Sequence, residues 1–381
     1  MVYLDHNATS CLRPQSRLAV EGALAVQGNP SSPHQWGRRA RALVEEARKD
    51  IAEVTDAEPK NIVFTSGGTE ANFLALWGAV LGAADAGAPI ERLLVSAIEH
   101  ESILTTARDI QERRPEIGLA AIPVSGDGVA DIDALRVLLA GGTRALVAVM
   151  AANNETGVVQ PIAEVQELVH AAGGVCVVDA VQACGKIAVD FAGADYLTVS
   201  AHKLGGPQGA GALVMRDGAP FVAVIRGGGQ ESNRRAGTEN VAGIAGFGAA
   251  ARLCGTDDIG RLAGLRDRFE AGLRQRFPDA VIFGERAPRL GNTCNFALPG
   301  IAAETALIAL DLDGVMVSSG AACSSGKVAP SHVLRAMGVC ADLARSALRI
   351  SLGWNSTESD IDAALASLEK LAARITARRA A

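Results

Sequence analysis

The chain has 381 residues, 49% of them hydrophobic and 20% charged, and a formal net charge of −6. That length favours two domains over one, and the composition is that of a globular protein rather than a disordered one. The acidic balance, with no Lys/Arg run longer than a pair, argues against nucleic acid as a main partner, and none is expected.

In chain order, residues 1–10 carry neither a basic n-region nor an apolar h-region, so no secretory signal is expected. Helices are predicted over Gln15–Gln27 and Arg38–Val54, separated by a turn whose prolines, Pro30 and Pro33, interrupt helix. Strand and helix then alternate. Strands are predicted at Ile62–Thr65, Arg92–Ala97, Leu119–Val124, Ala145–Met150, Val175–Asp179 and Tyr196–Val199. The helices between them fall at Glu70–Leu81, Ser102–Arg114, Ile132–Leu139 and Ile162–Ala172. Short Val/Ile/Leu runs between helices of about ten residues predict an α/β fold with a mostly parallel sheet covered on both faces. Near Cys254 the pattern changes to a long amphipathic helix, Ile259–Phe277. Short strands at Val281–Phe283, Thr293–Ala297, Val315–Ser318 and Leu348–Leu352 follow, then a last helix from Glu358 to about Ala377, which reads as a smaller α+β domain. No apolar run reaches the length of a membrane span, so no membrane partner is expected. Seven cysteines are an odd number without C-x-x-C spacing. Reduced thiols in a cytoplasm are the simplest account, and no metal site is expected.

Polar groups gather where predicted strands end. Ser66-Gly67-Gly68-Thr69-Glu70 lies between a strand and a helix N-terminus, where backbone N–H groups, hydroxyls and the helix dipole suit a phosphate or simply cap the helix. Asp179 closes an apolar strand, a costly place for a carboxylate unless a cation meets it; a protonated pyridine nitrogen would be one. His100 and the loop Asn153-Asn154-Glu155-Thr156-Gly157 follow two further strands, and His100 there could stack on an aromatic ring or move protons. Lys203 follows Ser200-Ala201-His202 and precedes a glycine-rich loop, an address for a lysine that forms a Schiff base with a carbonyl cofactor, or for an ordinary turn lysine.

The small-residue loop 318–326 carries one thiol, Cys323, without bulky neighbours, which suits a nucleophile that reaches in and carries cargo out. An unperturbed thiol is only a few per cent thiolate at neutral pH, so a proton acceptor is needed, with His100 the candidate. Arg349, a charge inside an apolar strand pattern, suits a bidentate carboxylate clamp.

These residues together resemble a known family. Ser-Gly-Gly-Thr-Glu (66–70), Asn-Asn-Glu-Thr-Gly (153–157), Asp-Ala-Val-Gln (179–182) and Ser-Ala-His-Lys with Gly-Pro-Gln-Gly-Ala-Gly (200–211) resemble motifs of the cysteine desulfurases. Arg-Arg-Ala-Gly-Thr-Glu-Asn (234–240) and Ser-Ser-Gly-Ala-Ala-Cys-Ser-Ser-Gly (318–326) extend the likeness, which is nearest to the nitrogen-fixation and iron-sulfur-cluster group. The resemblance implies a fold-type I pyridoxal-phosphate enzyme with a seven-stranded, mostly parallel sheet. It also implies a cofactor-binding domain over 14–255 and a small domain from 1–13 and 256–381. Lys203 would be the Schiff-base lysine, Asp179 the partner of the pyridine nitrogen, His100 the ring stacked on the cofactor and Gln182 the neighbour of its phenolic oxygen. Gly68, Thr69, Ser200 and His202 would hold the phosphate end, joined by Thr238 from a second copy in a homodimer. Asn154 and Arg349 would hold the carboxylate of L-cysteine. Cys323 would take its sulfur as a persulfide, leaving alanine, and pass it to an acceptor or iron-sulfur scaffold protein. A selenocysteine lyase or a small-amino-acid aminotransferase would share Lys203 and Asp179. Trp354 departs from the pattern, since many relatives carry Arg there.

Overall fold

A computed structural model describes residues 1–187, 193–255, 259–319 and 331–380. Its strands are β1 (Val2–Tyr3), β2 (Ile62–Thr65), β3 (Arg92–Ser96), β4 (Gly118–Ile122), β5 (Ala145–Met150), β6 (Val175–Asp179), β7 (Tyr196–Ser200), β8 (Gly211–Met215), β9 (Val281–Ile282), β10 (Thr293–Ala297), β11 (Val315–Met316), β12 (Ser318–Ser319) and β13 (Ala347–Ser351). Its helices are α1 (Pro14–Leu24), α2 (Gln35–Val54), α3 (Gly68–Asp85), α4 (Glu101–Arg113), α5 (Ile132–Leu139), α6 (Ile162–Ala171), the single turn α7 (Gln230–Asn233), α8 (Val241–Ala251), α9 (Ile259–Arg276), α10 (Ala303–Leu312), the short α11 (His332–Ala336) and α12 (Ala341–Ala344), and α13 (Glu358–Ala380).

The large sheet runs β2-β8-β7-β6-β5-β3-β4. Its central pairs are parallel, and only β8 runs against its neighbours β7 and β2. Side-chain alternation feeds two cores. Leu94, Val147, Val149 and Val178 pack on one face with Val44, Ile51 and Phe247, while Leu93, Val95, Leu146 and Val177 pack on the other with Leu74 and Ile103. Each of these large apolar side chains contributes about 1.5–3 kcal/mol by leaving water. The smaller C-terminal domain has its own core of Phe269, Leu273, Phe296, Ile350 and Leu365, around the antiparallel sheet β12-β13-β10-β9.

Leu4 belongs to that C-terminal core although it stands at the start of the chain. β1 pairs in parallel with β11, and Asp5 bridges to Ser351. The next residues are pinned by packing: a Cβ added at Gly353 would lie 1.9 Å from His6 Nδ1, so only glycine lets this ring seat. The N-terminal segment is thereby held between the C-terminal domain and the edge of the large sheet.

Several elements were not anticipated: β1, β8, α7, α8, α10, α11 and α12. α8 (VAGIAGFGAAA) is apolar all round and has no helical period to read, because it is buried against α1 and α2. Its glycines permit the approach: a Cβ at Gly248 would sit 2.7 Å from Ala47 Cα, and one at Gly246 2.5 Å from Val20 Cγ2. β8 follows a glycine-rich stretch that hides its boundary. α2 begins at Gln35, earlier than predicted, because the His34 side chain accepts from Gly37 N–H at 3.3 Å and caps it. Among the described residues no helix is long and apolar enough to cross a membrane, and no group of three or more His, Cys, Asp or Glu is placed to hold a metal ion.

Candidate active site

Open α/β sheets bind ligands outside the carboxyl ends of their parallel strands. A cavity of about 320 Å³ lies there, lined by Gly68, Thr69, His100, Asn154, Asp179, Gln182, Ser200, His202, Lys203 and Arg349. Asn7, Ala8, Asn72 and Ser102 complete the polar part of the wall. The structure thus brings together the predicted site residues apart from two. Thr238 is exposed and does not line the cavity of its own chain. Cys323 lies outside the described residues, as does the rest of 320–330.

One end of the cavity is shaped for an anion. Gly67 and Gly68 open α3, with the helix N-terminus at the cavity. Gly211 on β8 lets two backbones meet, since a Cβ there would stand 2.7 Å from Gly67 Cα, and a Cβ at Gly68 would be 2.9 Å from Val181 Cγ2. Ser200 Oγ, at the end of β7, is buried without a hydrogen-bond partner. Glu70 braces the cradle from outside: it accepts Ser66 N–H at 2.8 Å and pairs with Arg235 at 2.7 Å. Burial pushes its carboxyl up, but these partners outweigh that and hold it below the usual range.

Asp179, 5% exposed, ends β6. Oδ1 accepts Val181 N–H at 2.9 Å and Oδ2 accepts Asn72 Nδ2–H at 2.8 Å, and no ion pair reaches it among the described residues. Asn72 ties it to its neighbours: its oxygen accepts from Thr198 at 2.7 Å, and its nitrogen also donates to Ser102 Oγ at 2.9 Å. Ser102 in turn holds the ring of His100, with Oγ 2.8 Å from Nδ1 and its N–H donating to the same nitrogen at 3.1 Å. His100 is also the N-cap of α4, so its place is set by the helix it starts. Sequence reading missed Asn72, Ser102 and Thr198 as parts of one array; only the spacing of strand and helix ends in space joins them.

Behind this array, Glu99 is fully buried, accepts Met150 N–H at 2.7 Å through Oε1, and leaves Oε2 without a partner. Burial first and the Asp179 charge second push its carboxyl well above the usual range.

Lys203 lies in the single 3₁₀ turn Ala201–Lys203 that closes β7. Its Nζ donates to the carbonyls of Asn7 at 2.6 Å and Ala8 at 2.7 Å. His202 Nδ1 is 3.2 Å from Thr9 Oγ1. Burial, then the nearby Lys203 and Lys186, push that imidazole down to about 4, so it is a neutral hydrogen-bonding group at pH 7.

Arg349 on β13 is 2% exposed. Nη1 donates to Asn154 O at 2.9 Å and Nη2 pairs with Asp5 at 2.7 Å, while Nε is buried without a partner. The guanidinium is therefore already committed on one side to Asp5, which narrows the expected bidentate clamp. Trp354 also finds partners, donating Nε1–H to Cys11 O at 3.0 Å, with the Arg13 guanidinium over its ring at 5.6 Å.

The two ends of segment 320–330 both adjoin this wall. Before it, Ser318 pairs in register with Arg349; after it, Ser331 donates its hydroxyl to Glu155, the neighbour of Asn154. Glu155 is 4% exposed, and burial pushes its carboxyl up to about 7 against the opposing pull of Ser331, Arg349 and His100. A carboxyl raised in the folded state lends stability that is full below about pH 4.5 and is lost as pH rises through about 7. Glu155→Gln should remove that dependence. Relative to wild type, the variant should gain up to about 3 kcal/mol between pH 4.5 and pH 8 in chemical denaturation; parallel stability curves would refute the assignment.

An anion cradle at a helix N-terminus, a buried carboxylate at the end of β6 and a lysine amine in the same cavity define a pyridoxal-phosphate-dependent enzyme of the α/β class. The unpartnered Ser200 Oγ and the glycine contacts at the cradle fit the phosphate, and the buried Asp179 fits a protonated ring nitrogen. Comparison with known proteins carries this further. The aminotransferase class-V profile matches residues 2–364. A cysteine desulfurase of Cereibacter sphaeroides is 45% identical over 99% of this chain and 97% of its own length. The cysteine desulfurase IscS of Dictyoglomus turgidum is 40% identical over 97% of this chain and 94% of its own. Among solved structures, a NifS-like protein from Rickettsia africae superposes with a TM-score of 0.86 at 35% identity, covering 97% of this chain and 99% of that one. The chain belongs to the aminotransferase class-V family and, within it, to the cysteine desulfurases.

Proposed function

We propose that the protein converts L-cysteine to L-alanine and retains the sulfur as a persulfide on Cys323, for delivery to an acceptor protein of iron-sulfur cluster assembly. The observation that carries the reading is the shared wall. The cavity holding Lys203, Asp179 and Arg349 is also where both ends of the segment bearing Cys323 are anchored, through Ser318 and Ser331.

Bound pyridoxal phosphate would supply an electron sink for bonds broken at the substrate α-carbon. Asp179 would keep the ring nitrogen protonated, and Gly68, Thr69, Ser200 and His202 would hold the phosphate. His100, oriented by Ser102, would stack on the ring, and Gln182 would meet its phenolic oxygen. Arg349 and Asn154 would orient the substrate carboxylate, and the Lys203 amine would accept and return the α-proton. Cys323, as thiolate, attacks the substrate sulfur: an S–S bond forms, the Cβ–S bond breaks, and its electron pair stays on the carbon that takes a proton to become the alanine methyl. His100 is the proposed acceptor of the Cys323 proton.

A homodimer completes the proposed site, with Thr238 contributed by a second copy. Its exposure in one chain supports this, as do the exposed apolar side chains Leu18, Leu24 and Trp36 on α1 and α2. The proposed setting is the cytoplasm, and the proposed domain boundaries are 14–255 against 1–13 with 256–381.

Incubation with L-cysteine and a thiol reductant should yield alanine and sulfide in equal amounts with no keto acid. Keto-acid formation at a matching rate would make the protein an aminotransferase, and selective turnover of L-selenocysteine would make it a lyase.

A further inference from the structure

Lys186 lies four residues beyond Gln182, in the turn that follows β6. It does not line the cofactor cavity. It lines a smaller one of about 50 Å³ behind it, and the two share Lys203. Its Nζ donates to Gln182 Oε1 at 2.7 Å and to Asn7 Oδ1 at 3.3 Å.

Burial, then Lys203 and Arg349, push the Lys186 amine down to about 7, so at pH 6.5 it is mostly ammonium, with three donors and no acceptor. The Gln182 atom it meets must then be the oxygen, and the amide NH₂ is turned the other way, toward the Asn7 carbonyl at 2.9 Å. Asn7 is oriented by the same logic. Its Oδ1 faces two donors, Lys186 Nζ and Asn292 Nδ2 (3.1 Å), and its Nδ2 donates to Thr293 Oγ1 at 2.9 Å. Without Lys186 only the Asn7 carbonyl, which also receives Lys203 Nζ, opposes a turn-over of the Gln182 amide that exchanges nitrogen for oxygen at almost no steric cost, because the two ends have nearly the same shape.

We propose that Lys186 is a positioning residue that locks the amide of Gln182, so that a donor and not an acceptor is presented to the phenolic oxygen of the cofactor. The inference rests on the reading of the site given above. A phenolic oxygen that carries negative charge gains from an N–H and is repelled by a carbonyl oxygen, so the orientation of one amide decides the sign of the contact. Other charged or titratable groups that face Lys186 are Lys203, Arg349, His6, His202 and Cys184. A lysine replaced by a neutral residue therefore changes a charge as well as an orientation, and the two have to be separated.

The test is the dissociation constant of pyridoxal phosphate from the full-length protein, measured at pH 6.5 by titrating apo-protein and following the visible band. Lys186→Met should weaken binding roughly tenfold, the range of one lost hydrogen bond to a charged oxygen. Lys186→Arg, again donor-only, should stay within about twofold of wild type. Lys186→Gln fills the space with a polar group that can donate or accept, so it should weaken binding as Lys186→Met does, and it serves where the methionine variant fails to fold. In a Gln182→Leu background, Lys186→Met should weaken binding little further, since there is no amide left to orient. Wild-type binding by Lys186→Met or Lys186→Gln, or the same loss with and without Gln182, would overturn the proposal while the reading of the site stands. A wild-type protein that binds no pyridoxal phosphate would overturn both.

Discussion

Lys203→Ala is expected to lower alanine formation from L-cysteine by at least about a thousandfold and to abolish borohydride-stable attachment of the cofactor. The size follows from how many tasks converge on one amine. Nζ is held by the carbonyls of Asn7 and Ala8 in the same cavity as Asp179 and the anion cradle. Its backbone is set by a closed turn, Leu204 N–H and Gly206 N–H both donating to Ala201 O at 2.9 Å, followed by Gly205 at φ +83°. At Gly205 a side chain would also collide with Arg13, whose Cγ lies 2.7 Å from an added Cβ. Among the described residues no other lysine lines that cavity. Turnover within tenfold of wild type would refute the role.

Cys323→Ala should be as damaging by a different route. Alanine and persulfide should fall by about a thousandfold or more, while the visible band and the affinity for pyridoxal phosphate stay as in wild type. The residues proposed to hold the cofactor lie on α3, β6, β7 and the strand-end loops. Loss of the visible band together with activity would contradict that division of labour. Alanine formed at the wild-type rate would show that another group takes the sulfur.

Much of this was readable before any fold was known. Asp179, Ser200, Lys203 and the 66–70 motif announce themselves because a polar residue after an apolar strand has few inexpensive reasons to be there. Motif likeness then supplied the roles. The supports could not be read. Asn72 stands two residues beyond the 66–70 motif, yet its side chain serves Asp179, 107 residues later. Asn7 and Lys186 have no local signature, since their partners come from remote turns and strands. Glu99 is hidden beside the more conspicuous His100, and the upward push on its carboxyl depends on burial that no local pattern encodes. Arg349 was legible as an odd charge in a strand, but its pairing with Asp5 depends on residues 344 apart meeting.

That last separation bears on how the protein is made. Asn7, whose carbonyl receives Lys203, has its own N–H held by Ser351 Oγ at 2.8 Å, and β1 has no strand to pair with until β11 is synthesised. A nascent chain halted before Val315 already contains Lys203 and Asp179 but lacks the strand that seats Asn7. Such long-range closure comes late in folding. The first ten residues therefore cannot reach their place before β11 and β13 have been made, and a finished pocket forms no earlier than that.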